Sequence, residues 1–170
     1  MEHGMVHLYW GDGKGKTSAA MGLALRALGH GRKVCVLQFA KDGRSGEIQG
    51  LEALGAKVYA GKPDAAFASF MDEGRLREVR ERQDRLLEEV HASDCSVLVL
   101  DEAGAALSLG IVDEALLKRA VLERPMEREV ILTAHTPPEW MAEAADYCTH
   151  FVKEKHPFDR GTAAREGIEY

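Results

Sequence analysis

Apolar residues fall in two rhythms along this chain, short continuous runs and longer stretches where they return every three or four positions. The runs at 6–10, 33–39, 57–59, 96–100, 129–133 and 147–152 read as strands, each bounded by Gly, Pro or charged residues. Val97-Leu98-Val99-Leu100 has no polar break, as suits a strand buried on both faces. Between the runs, 17–28 reads as a helix rich in Ala and Leu that stops at Gly29-His30-Gly31. A second helix is expected at 72–92, where Leu76, Val79, Leu86, Leu87 and Val90 share one face. A third is expected at 112–122 with Asp113 near its start, and Pro137-Pro138 opens a fourth through Trp140. Strands alternating with helices predict an α/β fold, a mostly parallel sheet flanked by helices.

The 72–92 helix carries five arginines (75, 77, 80, 82 and 85) among seven acids from Asp72 to Glu89, which reads as a solvated face. With 170 residues, 45% hydrophobic and 29% charged, the chain suits one globular domain over residues 1–170. A net charge of −6 argues against a nucleic-acid backbone as partner. Cys35, Cys95 and Cys148 are scattered among apolar residues and read as small buried hydrophobes rather than metal ligands or disulfides. No run approaches the roughly 20 apolar residues that span a bilayer, and residues 1–6 lack the marks of a secretory signal. A soluble cytoplasmic protein, with no membrane partner, is the expectation.

The strongest signal is Gly11-Asp12-Gly13-Lys14-Gly15-Lys16-Thr17-Ser18, directly after a strand and directly before a helix. Small residues there let backbone N–H groups turn toward phosphate oxygens, and the helix N-terminus adds positive potential. Lys16 supplies a mobile charge and the Thr17 hydroxyl can ligate Mg²⁺. This is the context of the P-loop NTPase (RecA-like) fold. Only three residues separate Gly11 from Gly15, where the usual pattern has four, and Trp10 stands in the earlier slot. A shorter cradle is expected to hold the triphosphate differently, gripping its terminal phosphate and leaving another part of the nucleotide open to attack.

Val97-Leu98-Val99-Leu100-Asp101-Glu102 ends in two acids, the Walker B place, from which carboxylates reach the metal beside Thr17 directly or through water. His135, just past the 129–133 strand, lies at the same sheet edge as a phosphate contact, or else as a turn-capping or solvent-facing histidine. Lys41 and Glu47 flank Asp42-Gly43-Arg44-Ser45-Gly46 at that edge as well. Trp10 and Phe39 read as core aromatics. Spacing assembles no Ser/His/Asp or Cys/His nucleophile set.

These residues resemble the ATP:corrinoid adenosyltransferases of the P-loop type, also called cob(I)yrinic acid a,c-diamide adenosyltransferases. The likeness runs nearly end to end: the shortened loop, Arg26-Ala27-Leu28-Gly29-His30-Gly31, Gln38-Phe39, Gly46-Glu47, Val99-Leu100-Asp101-Glu102 and Ala145-Asp146. Most specific is the tail, Lys155-His156-Pro157-Phe158-Asp159-Arg160-Gly161 followed by Ala164 and Gly167-Ile168-Glu169-Tyr170.

The resemblance implies that a corrinoid reduced to Co(I) attacks the 5′ carbon of ATP and expels triphosphate, so that the protein supplies orientation and electrostatics rather than a nucleophile. It implies a reversed ATP with the loop near the γ-phosphate, Gly11 to Ser18 on the nucleotide, Arg26 as a further contact, and Thr17 and Glu102 as Mg²⁺ ligands. It also implies a homodimer and a cellular reductant such as a flavoprotein. Two segments depart from the family pattern. Phe67-Ala68-Ser69-Phe70-Met71 stands where Phe-Thr-Trp is common, with Phe70 as the replacement aromatic wall toward the corrinoid, and Thr133-Ala134-His135 replaces Thr-Gly-Arg. Two rivals follow. One is an ATP hydrolase or small-molecule kinase using Glu102 or His135 as base; the other is a non-catalytic ATP-binding regulatory protein that has lost the corrinoid site.

Overall fold

The computed structural model describes residues 3–41, 45–61 and 68–168. Its six strands are β1 (Val6–Trp10), β2 (Val34–Gln38), β3 (Lys57–Ala60), β4 (Val97–Asp101), β5 (Glu129–Ala134) and β6 (Tyr147–His150). They form one sheet in the order β3-β2-β4-β5-β1-β6, and every neighbouring pair is parallel. Parallel pairing sends all the strand C-termini to one edge, so the loops after β1, β2, β4 and β5 gather there. The helices are α1 (Lys16–Gly29), α2 (Gly46–Ala53), α3 (Glu73–His91), α4 (Ala103–Ser108), α5 (Glu114–Leu122) and α6 (Glu139–Ala144).

The pleat of the central strands divides the core into two clusters. Val34 and Val36 of β2, Val97 and Val99 of β4 and Ile131 of β5 pack with Ala20, Met21 and Ala24 of α1 and Ile48 and Leu51 of α2. Their alternates, Cys35, Leu37, Leu98, Leu100, Val130 and Leu132, pack with Val79, Leu87 and Val90 of α3, Leu117 of α5 and Met141 of α6. Burial on both faces explains why these strands read as unbroken apolar runs.

Asp72 caps α3 by accepting from the Arg75 N–H at 2.8 Å, and Asp113 caps α5 by accepting from Leu116 at 3.0 Å. The charged side of α3 is not wholly solvated, since Arg80 reaches Asp113 at 2.7 Å and so ties α3 to the start of α5. Two short helices, α2 and α4, escaped the sequence reading, because eight and six residues are too few for a helical period to show. Strand β6 ends two residues earlier than expected, and all four of its residues are exposed. Cys148 therefore departs from the expected buried hydrophobe, while Cys35 and Cys95 conform to it. Among the described residues no helix is long and apolar enough to cross a membrane.

Arg128, 1% exposed, donates to the carbonyl oxygens of Cys95 and His91 at 2.9 Å each, and to that of Ser93. A single guanidinium thus satisfies carbonyls left open where α3 ends and the chain turns into β4. Arg128→Met keeps much of the bulk and removes the donors. The expected loss is about 2–4 kcal/mol of unfolding free energy in urea denaturation, and a change within about 0.5 kcal/mol would contradict this role.

Candidate functional site

The site begins where β1 hands over to α1. Gly15 is the N-cap of α1 with φ 112°, in the left-handed region where a Cβ is strained, and no side chain caps the helix there. The first amides of a 14-residue helix are thereby turned toward the loop, an arrangement suited to phosphate. The Lys16 ammonium folds back over the loop and donates to the Gly13 carbonyl at 2.9 Å. Burial pulls Lys16 below the usual lysine range, while the charges of Glu102, Asp12 and Asp101 oppose that pull.

The loop is held from behind by the segment after β6. Gly13 N–H donates to the Phe151 carbonyl at 2.8 Å, Phe151 N–H to Trp10 at 2.7 Å, and Lys153 N–H to the Asp12 carboxylate at 3.1 Å. That last bond is the main reason Asp12 lies below the usual carboxylate range. A Cβ on Gly13 would sit 2.7 Å from the Phe151 carbonyl carbon, so only glycine lets the two backbones meet. Trp10 is half-buried, packed on the core and stacked on His150 with ring centroids 3.9 Å apart, whereas Phe39 is wholly buried in the core. Beyond the contact with the loop, Pro157–Arg160 forms a 3₁₀ turn whose Asp159 accepts from the Lys153 ammonium at 3.1 Å.

The second half of the site is centred on Asp101, the last residue of β4. Its carboxylate is 0% exposed and accepts from Thr17 Oγ1 at 2.9 Å and Thr133 Oγ1 at 2.8 Å on one oxygen. Gln38 Nε2 at 3.2 Å and Lys41 Nζ at 2.8 Å donate to the other. The pleat explains the gathering. Gln38, Asp101 and Thr133 each continue the alternation that puts Val36, Val99 and Ile131 on the α1 face, and Thr17 opens α1 on that same face. The Thr133 hydroxyl, by donating to Asp101, is left to accept from the Glu102 N–H at 2.8 Å.

Glu102 has φ 62°, a left-handed conformation for a residue with a side chain, which costs about 1 kcal/mol or more. The bond from its N–H to Thr133 helps to hold it there. Burial, then the Asp101 charge, pushes its carboxyl above the usual range, against the opposing charges of Lys41, His135 and Lys16. Lys41 follows Ala40, which also has a positive φ, and its ammonium lies 4.0 Å from Glu102 as well as on Asp101. For Lys41, burial lowers the pKa, but Asp101, Glu102 and Glu47 outweigh it and the net shift is upward.

The expected residues separate accordingly. Lys16, Thr17, Asp101, Glu102 and Lys41 come together, with Glu47 in the first turn of α2 and exposed His135 just after β5 near enough for their charges to be felt. Lys14 in the loop and Ser18 in the first turn of α1 are exposed. Arg26 is not brought to the loop: ten residues on from Lys16 along α1, it lies about 15 Å along the helix axis and is exposed. Phe70 is 89% exposed in a short 3₁₀ turn, while Phe67 and Asp42 to Arg44 lie outside the described residues.

The resemblance pairs Thr17 with Glu102 at the metal; that the Thr17 hydroxyl goes to Asp101 was missed. The alternation Val97, Val99, Asp101 carried that signal. Gln38 was also missed as a site residue; among the described residues its buried Oε1, beside Asp101, has no hydrogen-bond partner. The donors available, a hydroxyl, two carboxylates and an amide oxygen, are all hard oxygen ligands of the kind Mg²⁺ takes, and Lys41 already holds a positive charge near both carboxylates.

From residue 2 to residue 170 the chain matches the family described as ATP:corrinoid adenosyltransferase BtuR/CobO/CobP. The corrinoid adenosyltransferase of Pseudomonas aeruginosa is 33% identical over 180 residues, covering 99% of this chain and 85% of that one. The Escherichia coli corrinoid adenosyltransferase is 33% identical over 173 residues, covering 99% and 87%. Corrinoid adenosyltransferase CobA of Salmonella typhimurium is 31% identical, covering 99% and 87%. Among solved structures, the flagellar accessory protein FlaH of Methanocaldococcus jannaschii superposes with a TM-score of 0.55 at 16% identity, over 88% of this chain and 72% of that one, a likeness of fold.

Proposed function

Since the chain belongs to the ATP:corrinoid adenosyltransferase family, we propose that it transfers the 5′-deoxyadenosyl group of ATP to the Co(I) of a reduced corrinoid and releases triphosphate. What carries this reading is the match to that family along almost the whole chain, joined to a short phosphate loop at a helix start. The carbon–cobalt bond forms with the electron pair of the reduced metal, and the carbon–oxygen bond to the triphosphate breaks. The protein's tasks are to bind, align and neutralise.

The amides at the start of α1 and the Lys16 ammonium bind the triphosphate, with Lys16 giving up its bond to Gly13. Thr17, with Glu102 and Asp101, would hold Mg²⁺, which when bound supplies positive charge to the departing polyanion. Lys41 keeps Asp101 paired, and Gln38 orients the same carboxylate from the other side. The acceptor is cob(I)alamin or a precursor such as cob(I)yrinic acid a,c-diamide, Phe70 contributes an apolar wall toward it, and a flavoprotein-class reductant supplies the electron that brings its cobalt to Co(I). A homodimer in the cytoplasm completes the reading.

A second reading draws on Glu102, a carboxylate directly after Asp101 with a raised pKa, which is the place for a base in ATP hydrolysis. One experiment separates the two. The protein is mixed with ATP, Mg²⁺ and chemically reduced cobalamin or its a,c-diamide precursor, and the phosphate product and corrinoid spectrum are followed together. A light-sensitive adenosyl-corrinoid formed one for one with triphosphate is expected. ADP and orthophosphate, with Co(I) unconsumed, would establish hydrolysis instead.

A further inference from the structure

At the opposite edge of the sheet from the phosphate loop, two buried thiols meet around one hydroxyl. Cys35, in β2, is 2% exposed, and Cys95, just before β4, is 4% exposed. Both belong to the same core cluster. The Ser93 hydroxyl lies 3.2 Å from the Cys95 sulfur and 3.5 Å from the Cys35 sulfur, and it also donates to the Val90 carbonyl at 2.7 Å. A hydroxyl has one proton, shared here between Val90 and Cys95, so toward Cys35 its oxygen accepts. The two thiols are thus linked through one oxygen, from β2 to the segment leading into β4.

Both cysteines line a cavity of about 240 Å³ whose other walls include Lys33, Lys57 and Asp94. Lys33 and Asp94 are paired with each other, and Lys57 is a second cation at the rim. On the inner side, Arg128 donates to the Cys95 carbonyl at 2.9 Å. The Cys35 thiol, the Ser93 hydroxyl and Arg128 together favour a thiolate on Cys95 despite its burial, pulling it below the usual thiol range, while Cys35 is pushed up and keeps its proton. None of these groups touches the phosphate loop or the Asp101 cluster. Gln38, the nearest site residue on β2, is three positions on, about 10 Å along the strand.

We propose that Cys35 and Cys95 form an oxidisable dithiol, in which a hydroperoxide admitted through this cavity oxidises Cys95 and the pair closes to an intramolecular disulfide. In the first step the Cys95 thiolate attacks hydrogen peroxide, the O–O bond breaks, and sulfenic acid and hydroxide form. In the second the Cys35 sulfur attacks the sulfenic sulfur, the S–O bond breaks, and the Cys35 proton leaves with the hydroxyl as water. Sulfur is oxidised by two electrons and peroxide is reduced to water. Intracellular disulfides are rare and tend to be redox-active rather than structural, which fits a pair held ready but unjoined.

The test uses the full chain carrying Cys148→Ser, which removes the exposed thiol and leaves the pair intact. After treatment with hydrogen peroxide and alkylation in denaturant, the protein is weighed intact and mapped without reductant. Loss of both remaining thiols is expected, with a mass about 2 Da below that of the reduced protein and a peptide joining Cys35 to Cys95 that dithiothreitol releases. A gain of about 16 or 32 Da with no joined peptide would overturn the proposal, as would two thiols still free at roughly a hundredfold excess of peroxide. Cys35→Ser in the same background should stop oxidation at the sulfenic stage on Cys95, trapped by dimedone; no dimedone adduct on Cys95 in that variant also counts against it.

Discussion

Lys16→Ala is expected to lower kcat/KM for adenosyl transfer by about 10²–10³ while the unfolding midpoint hardly moves. The asymmetry follows from what Lys16 touches. In the folded protein its ammonium bonds to one backbone carbonyl, that of Gly13, a contact whose loss costs little because the side chain is only half-buried and water replaces it. In the reaction the same ammonium faces a triphosphate that gains negative charge as the carbon–oxygen bond breaks, and a cation preplaced in a partly desolvated loop is worth several kcal/mol there. Because burial already disfavours its charge, the side chain gains most when an anion enters the loop. The check is steady-state kinetics with ATP varied at saturating reduced corrinoid, beside urea denaturation. Activity within about fivefold of the parent would remove Lys16 from the phosphate site.

Asp101→Asn should damage both function and stability, although it changes only one oxygen to an amide nitrogen. The carboxylate has four donors and two oxygens, and the amide has one oxygen and two donors of its own. If its nitrogen faces Lys41 and Gln38, donor meets donor in a wholly buried place. If it faces Thr17 and Thr133, then Thr133, which already accepts from the Glu102 N–H, must accept again, and the proton of the Thr17 hydroxyl loses its acceptor. Either way Lys41 loses the charge that holds it in place. About 2–3 kcal/mol of stability and about 10²–10³ in kcat are the expected losses, read by urea denaturation and by triphosphate release. Near-parental turnover in a folded variant would mean that the carboxylate network is not part of the machinery.

The sheet was legible wherever burial on both faces left an unbroken apolar run, as at Val97 to Leu100, and α1 was legible because Gly29-His30-Gly31 marks its end. The loop from Gly11 to Ser18 was legible from its glycines and its Gly-Lys-Thr set between a strand and a helix, although its spacing is one residue short of the usual pattern. What stayed hidden depends on direction or distance. Asp101 and Glu102 are adjacent letters, and only the pleat tells that the first shares a face with Thr17. Lys41 reaches Asp101 because Ala40 takes a left-handed turn, for which alanine gives no cue. The exposure of Cys148 follows from β6 lying at the sheet edge, which an apolar-looking run does not reveal. The bond between Gly13 and Phe151 joins segments far apart in sequence, which no local pattern can foretell.

That same bond bears on how the protein is made. Strand β1 finds its two partners in β5 and β6, the Val6 N–H reaching Asp146 across 140 positions, and Asp12 is tied to Lys153 across 141. On a ribosome, the phosphate loop is therefore translated early and left waiting. Its strand lacks a neighbour until β5 has emerged, and its backing until Lys153 has cleared the exit tunnel. ATP has no finished loop to bind on the nascent chain, so nucleotide cannot assist the early stages of folding. A truncation ending before Phe151 should accumulate as a species dependent on chaperones rather than as a weaker enzyme.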